Sequence, residues 1–142
     1  FHIRRIGQMR FKLVASQKFP LRDIRVDSFD DIDTLPLIDM TMYRDLKNLA
    51  PWNNLISERE TRPVLVASNT SAMQRPVSSG AGITIFPDYA PMFDDSLITL
   101  DVPTPSMAVD LWLIAHEDSL REPSVRQLYD GIAEMFVHSP WF

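Results

Sequence analysis

The chain has 142 residues, with 14 Lys and Arg against 19 Asp and Glu, a formal net charge of −5, and 45% hydrophobic and 23% charged residues. This is the balance of one globular domain, able to bury about 70% of its unfolded surface. With no cysteine there is no disulfide framework, thiolate metal site or Cys nucleophile; no apolar run approaches a membrane span, and the acidic balance argues against a broad nucleic-acid-binding surface.

Phe1 stands where an initiator Met would, and Phe1 to Ile6 lacks the apolar core of a signal peptide, so a fragment or processed product is expected. Arg4, Arg5, Arg10 and Lys12 bracket the apolar run Phe11, Leu13, Val14 and Ala15, which reads as a strand ended at Phe19-Pro20. The basic residues read as solvated flanks. Asp23 to Asp33 is acidic and broken; Ser28 is placed to cap a short turn, with Asp30 and Asp31 favourable at its start. Leu35 to Ile38 reads as a strand. Met40 to Glu60 reads as a short helix or structured loop, with Pro51 ending any helix there.

Pro63 to Ala67 is a continuous apolar run, the pattern of a strand covered on both faces. Ser71 and Gln74 have capping-box spacing, so a helix opens near Asn69, Thr70 and Ser71, and Gly80 closes it. Pro76 inside that span removes a donor and should shorten or kink the helix. Ile83 to Phe86 is a strand stopped by Pro87. Strand, helix, turn and strand make a βαβ unit, with parallel strands and a right-handed crossover. Asp88 to Phe93 reads as a helical turn, Leu97 to Leu100 as a strand, Pro103 and Pro105 as loop bounds, and Val109 to Ala115 as a strong strand. After Pro123-Ser124, the residues Val125, Leu128, Tyr129, Ile132, Met135 and Phe136 share one face of an amphipathic helix, with Arg126 and Asp130 able to pair on the other.

Three stretches carry a resemblance. One is Leu111 to Arg121, an apolar strand running into a His116-Glu117-Asp118-Ser119-Leu120-Arg121 turn, followed by Val125-Arg126 and Asp130. The second is Val77 to Pro87, a helix end, a Gly80-Ala81-Gly82 turn and a strand stopped by proline. The third is Phe11 to Ser16. In this order and spacing they resemble the effector-binding region of LysR-type transcriptional regulators. The resemblance implies an α/β fold: a Rossmann-like lobe of a two-lobed, periplasmic-binding-protein-like (type 2) effector domain, with the first lobe incomplete. Residues 1–16 would end lobe one and cross over, 17–109 would form lobe two, and 110–142 would return to lobe one. A small effector would bind between lobes, and DNA would be bound only through a missing N-terminal winged helix-turn-helix. The location would be cytoplasmic, with no membrane partner, no cofactor and no catalysis. The final helix would then lack its natural partners, so either another chain supplies the missing half or the protein is a homo-oligomer.

The candidate effector site is Asn69, Thr70 and Ser71. A strand runs into a helix start there, and free N–H groups with the helix dipole favour a small anion. Ser71 acting only as a cap, with Asn69 a turn residue, is the competing reading. Gly80 and Gly82 complete the candidate set, although a C-cap and tight turn is by far the stronger reading of them; a dinucleotide fingerprint needs the opposite element order and a third glycine, so no nucleotide cofactor is expected. His2, His116 and His138 are scattered, and His116-Glu117 lacks the second His of a zinc protease motif, so no metal site is expected. Asp30, Asp31 and Asp33 read as a solvated turn rather than a cation site. Met40, Met42 and Tyr43 read as packing residues, with a pocket lining as the alternative. Two other functional classes stay open. One is a transport-type solute-binding fragment, which the His116 to Arg126 signature disfavours. The other is an α/β enzyme lobe, which would need an acid/base or nucleophile constellation that is not visible.

Overall fold

The computed structural model describes residues 1–21 and 24–142; Asp23, the start of the expected acidic stretch, lies outside them. Two compact units emerge: unit 1 is Phe1–Arg10 with Ala108–Phe142, and unit 2 is Phe11–Met107. One strand, β1 (His2–Ser16), contributes to both. It is much longer than the apolar run near its end suggests.

Unit 2 is an α/β layer. In chain order it holds the end of β1, β2 (Ile38–Met40), α1 (Ala50–Glu58), β3 (Leu65–Ala67), α2 (Thr70–Ser78), β4 (Thr84–Pro87), α3 (Ala90–Phe93) and β5 (Leu97–Thr99). β2 and β3 pair in parallel, with Ile38 opposite Leu65 and Met40 opposite Ala67. A parallel bridge between Leu37 and Ile83 joins β2 to the start of β4. The expected βαβ orientation is therefore present, but the strand at Leu37–Met40 lies between β3 and β4. β4 and β5 both pair antiparallel with β1 and meet it on either side of Val14. Leu13, Val14 and Ala15 are consequently at zero exposure, together with Ile32, Leu37, Ile38, Leu49, Trp52, Met73, Val77, Ile83 and Ile85. Each fully buried large apolar side chain contributes about 1.5–3 kcal/mol.

Several local expectations change. Pro51 does not end a helix; it occupies the first turn of α1, where its missing N–H has no intrahelical partner to lose. Val64 and Val66 are exposed and only Ala67 of β3 is buried, so β3 is not covered on both faces. Among the described residues it pairs only with β2, and α2 packs on one side. α2 is capped by Asn69, not Ser71. The Asn69 Oδ1 accepts the Ala72 N–H at 2.9 Å, which places Ser71 inside the first turn. Pro76 is tolerated within α2, which continues to Ser78. Gly80 closes the helix at φ +86°, and a Cβ there would approach the Lys18 backbone to 3.0 Å. Ser28 begins a 3₁₀ turn, Phe29–Thr34, as expected.

Asp94 ties the end of α2 to the start of β5. It accepts from Ser78 Oγ at 2.5 Å, from the Ser96 Oγ at 2.6 Å and from the Ser96 N–H at 3.0 Å. These bonds, led by Ser78, hold its carboxyl at about 2, below the ordinary 3.8.

Unit 1 pairs residues 2–10 of β1 antiparallel with β6 (Ala108–Ala115), with a register shift between Arg5 and Gly7. Arg5 Nη2 meets Asp110 at 2.8 Å and Gln8 donates to the same carboxylate at 3.1 Å. α4 (Pro123–Val137) packs with Tyr129 and Ala133 buried, while Leu128 and Met135 are exposed. The buried stripe is thus narrower than the apolar face read from sequence. No Arg126–Asp130 ion pair is present; the Arg126 N–H bonds the Glu122 carbonyl at 3.0 Å.

Two stability measurements follow. Asn69→Ala should cost about 1 kcal/mol, whereas Ser71→Ala should stay within about 0.5 kcal/mol of the parent; thermal unfolding giving equal losses would return the cap to Ser71. Because the folded Asp94 carboxyl titrates below its unfolded value, its contribution is complete above about pH 4 and is lost as pH falls towards 2. The Tm difference between parent and Asp94→Asn should therefore be constant from pH 7 to 5 and close by pH 2.

Candidate functional site

The parallel strands of unit 2 define a carboxyl edge, where ligands of open α/β sheets bind. Met40 and Ala67 are paired, so Thr41 and Ser68 are the next residues of two adjacent strands. Ser68, Asn69, Thr70 and Ser71 are exposed at that edge. The chain takes this path because β3 stops at Ala67 and Asn69, in extended conformation at φ −153° and ψ 166°, turns it into α2.

The donors can be assigned individually. The Ala72 N–H is taken by the Asn69 side chain, and the Met73 N–H by the Asn69 carbonyl at 3.2 Å. The N–H groups of Thr70 and Ser71 precede these and have no intrahelical acceptor. Two backbone donors, the Thr70 and Ser71 hydroxyls and the positive end of the helix dipole therefore lie together at one exposed helix start. Asn69 Nδ2 lies 3.4 Å from Ser68 Oγ. Pro76 is too far along the helix to remove any of these donors.

Gly80 and Gly82 lie at the other end of α2, about 13 Å away for nine residues at 1.5 Å each. Their open sides are filled by the chain itself: a Cβ on Gly82 would meet the Pro36 carbonyl oxygen at 2.9 Å. The structure does not bring them together with Asn69, Thr70 and Ser71.

Beneath the edge sits a residue that sequence reading missed. Asp39, 1% exposed, accepts from Trp52 Nε1 at 2.9 Å, and its second oxygen faces Arg44 Nη2 at 3.7 Å. The signal was a lone carboxylate inside the apolar run Leu37 to Met40. Tyr43 is likewise internal; its hydroxyl donates to the Ile85 carbonyl at 2.8 Å, and burial holds its pKa far above the ordinary value. Met40 is buried too, leaving Met42 exposed. Core packing thus accounts for Met40 and Tyr43.

A separate groove of about 450 Å³ runs between the Phe29–Thr34 turn and α1 and is lined by Asp30, Asp33 and Glu58. Its charge disfavours an anion. Asp31 does not join it, because its carboxylate accepts the N–H groups of Asp27 and Ser28 at 2.8 and 2.9 Å, which lowers its pKa. Among the described residues no group of three or more His, Asp or Glu is arranged to hold a metal. His116 accepts the Asp118 N–H at 3.2 Å and shapes the turn after β6. No helix of the described residues is long and apolar enough to cross a membrane.

Comparison with known proteins gives the family and the fold. The family model "LysR substrate binding domain" matches residues 1–137. Comparison with curated proteins gives no match. Among solved structures, the Synechocystis PCC6803 CcmR regulatory domain, in complex with 2-PG, is 11% identical, with 96% of this chain covering 67% of that one at a TM-score of 0.69. The Neisseria meningitidis CrgA regulatory domain is 16% identical over 95% of this chain and 68% of its own, at 0.65. The full-length Vibrio cholerae activator AphB is 21% identical over 94% of this chain and 47% of its own, at 0.61. The chain thus spans about half of a full-length regulator and about two thirds of isolated regulatory domains. These likenesses give the two-lobed type 2 periplasmic-binding-like α/β fold. With the family match running through nearly the whole sequence, the protein belongs to the LysR substrate-binding domain family.

Proposed function

We propose that this chain is the effector-sensing part of a LysR-type DNA-binding transcriptional regulator and that its ligand is a small anion held at Asn69, Thr70 and Ser71. The observation that carries the reading is the pair of N–H groups of Thr70 and Ser71, flanked by two hydroxyls at the carboxyl edge of parallel strands. A carboxylate or phosphate accepts from such donors with charge-assisted hydrogen bonds. In this reading residues 17–109 are the second effector lobe, and 1–16 with 110–142 belong to the first. DNA is bound through an N-terminal winged helix-turn-helix outside this sequence. The regulator works in the cytoplasm as a homo-oligomer and catalyses nothing. Effector binding shifts the population between two states of the oligomer that present the DNA-binding domains differently.

The test uses the complete regulator and a panel of small carboxylates and phosphates, screened by thermal shift. An anion that binds the folded state raises Tm with concentration. The Thr70→Ala/Ser71→Ala double variant should keep the parent stability without ligand to within about 0.5 kcal/mol and lose about tenfold or more in affinity, the value of one charge-assisted bond. Equal affinity in both proteins would remove the two hydroxyls from the site, failure of every anion in the panel to stabilise the protein would remove the site itself, and a stabilising ligand that is cationic or uncharged would remove its anionic character.

A further inference from the structure

Arg5 and Arg59 have their guanidinium groups hydrogen-bonded. Arg5 donates to Asp110 from Nε and Nη2 at 3.0 and 2.8 Å, and Arg59 donates to the Leu35 carbonyl at 2.7 Å. Arg44 differs from both. Its side chain is 59% exposed, and its guanidinium makes no hydrogen bond among the described residues. Its ion-pair partner is Asp39, with Nη2 and Oδ2 3.7 Å apart. That is close enough for attraction and too long for a hydrogen bond.

Asp39 accounts for where Arg44 stands. It is 1% exposed, Trp52 donates to its Oδ1, and its Oδ2 is buried with no hydrogen bond. A buried carboxylate oxygen without a donor is costly, and the Arg44 charge offsets part of that cost. Attraction thus keeps the guanidinium at the end of β2 while its N–H groups stay unused.

The turn that carries Arg44 is fixed. Within the 3₁₀ turn Thr41–Asp45, the Tyr43 hydroxyl donates to the Ile85 carbonyl at 2.8 Å, and the Asn53 side chain donates to the Tyr43 carbonyl at 2.8 Å. This turn leaves the carboxyl end of β2, whereas Asn69, Thr70 and Ser71 follow the carboxyl end of β3. The two strands pair in parallel, so the two segments start about 5 Å apart on one edge. A guanidinium is a planar fork of N–H donors that matches a carboxylate or phosphate with two hydrogen bonds.

We propose that Arg44 is a second anion anchor of the effector site and that the effector is a short diacid, with one acidic group at Thr70 and Ser71 and the other on the Arg44 guanidinium. The ligand class follows from the anchors: two sets of donors on neighbouring strand ends call for two acceptor groups joined by a short chain. The first of these groups rests on the effector-site reading above; the second rests on Arg44 and Asp39.

The test is calorimetric titration of the complete regulator with succinate, glutarate and adipate, each against its monomethyl ester, which has the same chain and one charge fewer. At least one diacid should bind about tenfold or more tighter than its ester, the value of a charge-assisted bond. Arg44→Ala should abolish that preference and leave the affinity for the ester unchanged. Because Arg44→Ala also strips the charge from beside Asp39 and can unfold the turn, Arg44→Lys is the second variant. It keeps the charge, loses the fork and should retain only part of the preference. No diacid preferred over its ester overturns the proposal, as does a preference undiminished in the alanine or the lysine variant. Equal weakening of acid and ester by Arg44→Ala also overturns it, because Arg44 would then share the single anion of Thr70 and Ser71. Failure of the effector-site reading shows elsewhere: the Thr70→Ala/Ser71→Ala variant would bind acid and ester as the parent does, with the Arg44-dependent preference intact.

Discussion

Everything in this molecule hangs on one strand. β1 runs for fifteen residues, and its environment changes along its length from exposed at His2 to fully buried at Ser16. The cause is the number of partners. Over residues 11–16 it has β4 on one side and β5 on the other, and Leu13, Val14 and Ala15 lose all solvent contact. Over residues 2–10 its strand partner among the described residues is β6, and His2 to Arg5 stay exposed while Ile6 to Arg10 are half-buried. The Arg5–Asp110–Gln8 cluster holds this half by polar contacts. Exposed ion pairs of this kind contribute little, about 0–1 kcal/mol, so the register there depends on backbone pairing.

Within unit 2 the carboxyl edge is held from below by Asp39. A carboxylate at 1% exposure is costly unless its lone pairs are used. The Trp52 indole N–H fills one position and links β2 to α1, while the second oxygen has no hydrogen bond and is offset only by the Arg44 guanidinium 3.7 Å away in the turn after β2. Tyr43, in that same turn, is anchored to the β4 carbonyl of Ile85. The residues that follow the strand ends are thus set on a rigid base, while the donors above them, on Thr70 and Ser71, remain in water. Rigid support under exposed donors is the arrangement that binding sites need, because ordering is complete before the ligand arrives.

The legible parts of the sequence were those where apolar periodicity and punctuation agreed. Ile83 to Phe86 with Pro87, Val109 to Ala115, the Ser28 turn and the Gly80 helix end all formed where read. The first nine residues of β1 were hidden because Arg4, Arg5, Gln8 and Arg10 interrupt the apolar alternation, and only pairing with a strand a hundred residues away makes them extended. Pro51 was misread because proline opens a helix as readily as it stops one, and the choice depends on which side carries the packing residues; here Trp52 and Leu55 follow it. The Pro63 to Ala67 run looked covered on both faces because composition cannot show that a strand lies at an edge. Ser71 and Asn69 offered competing caps two residues apart, and the extended backbone at Asn69 decided between them.

The candidate site shows the same limit at finer scale. Asn69, Thr70 and Ser71 are adjacent in sequence, so a local signal was enough to group them. Gly80 and Gly82 were grouped with them on the strength of a motif, yet a nine-residue helix separates the two sets, and the glycines are needed where Lys18 and Pro36 press against the chain. Small residues in a turn serve close approach in general, and whether the approaching group is a ligand or the protein's own backbone depends on long-range packing. Here it is backbone in both cases. Asp39 is the converse: a long-range requirement, the Trp52 indole thirteen residues on, gives a purpose to a carboxylate that its neighbours in sequence leave unexplained. Helix ends declare their donors locally, and tertiary packing alone decides which of them stay open to a ligand.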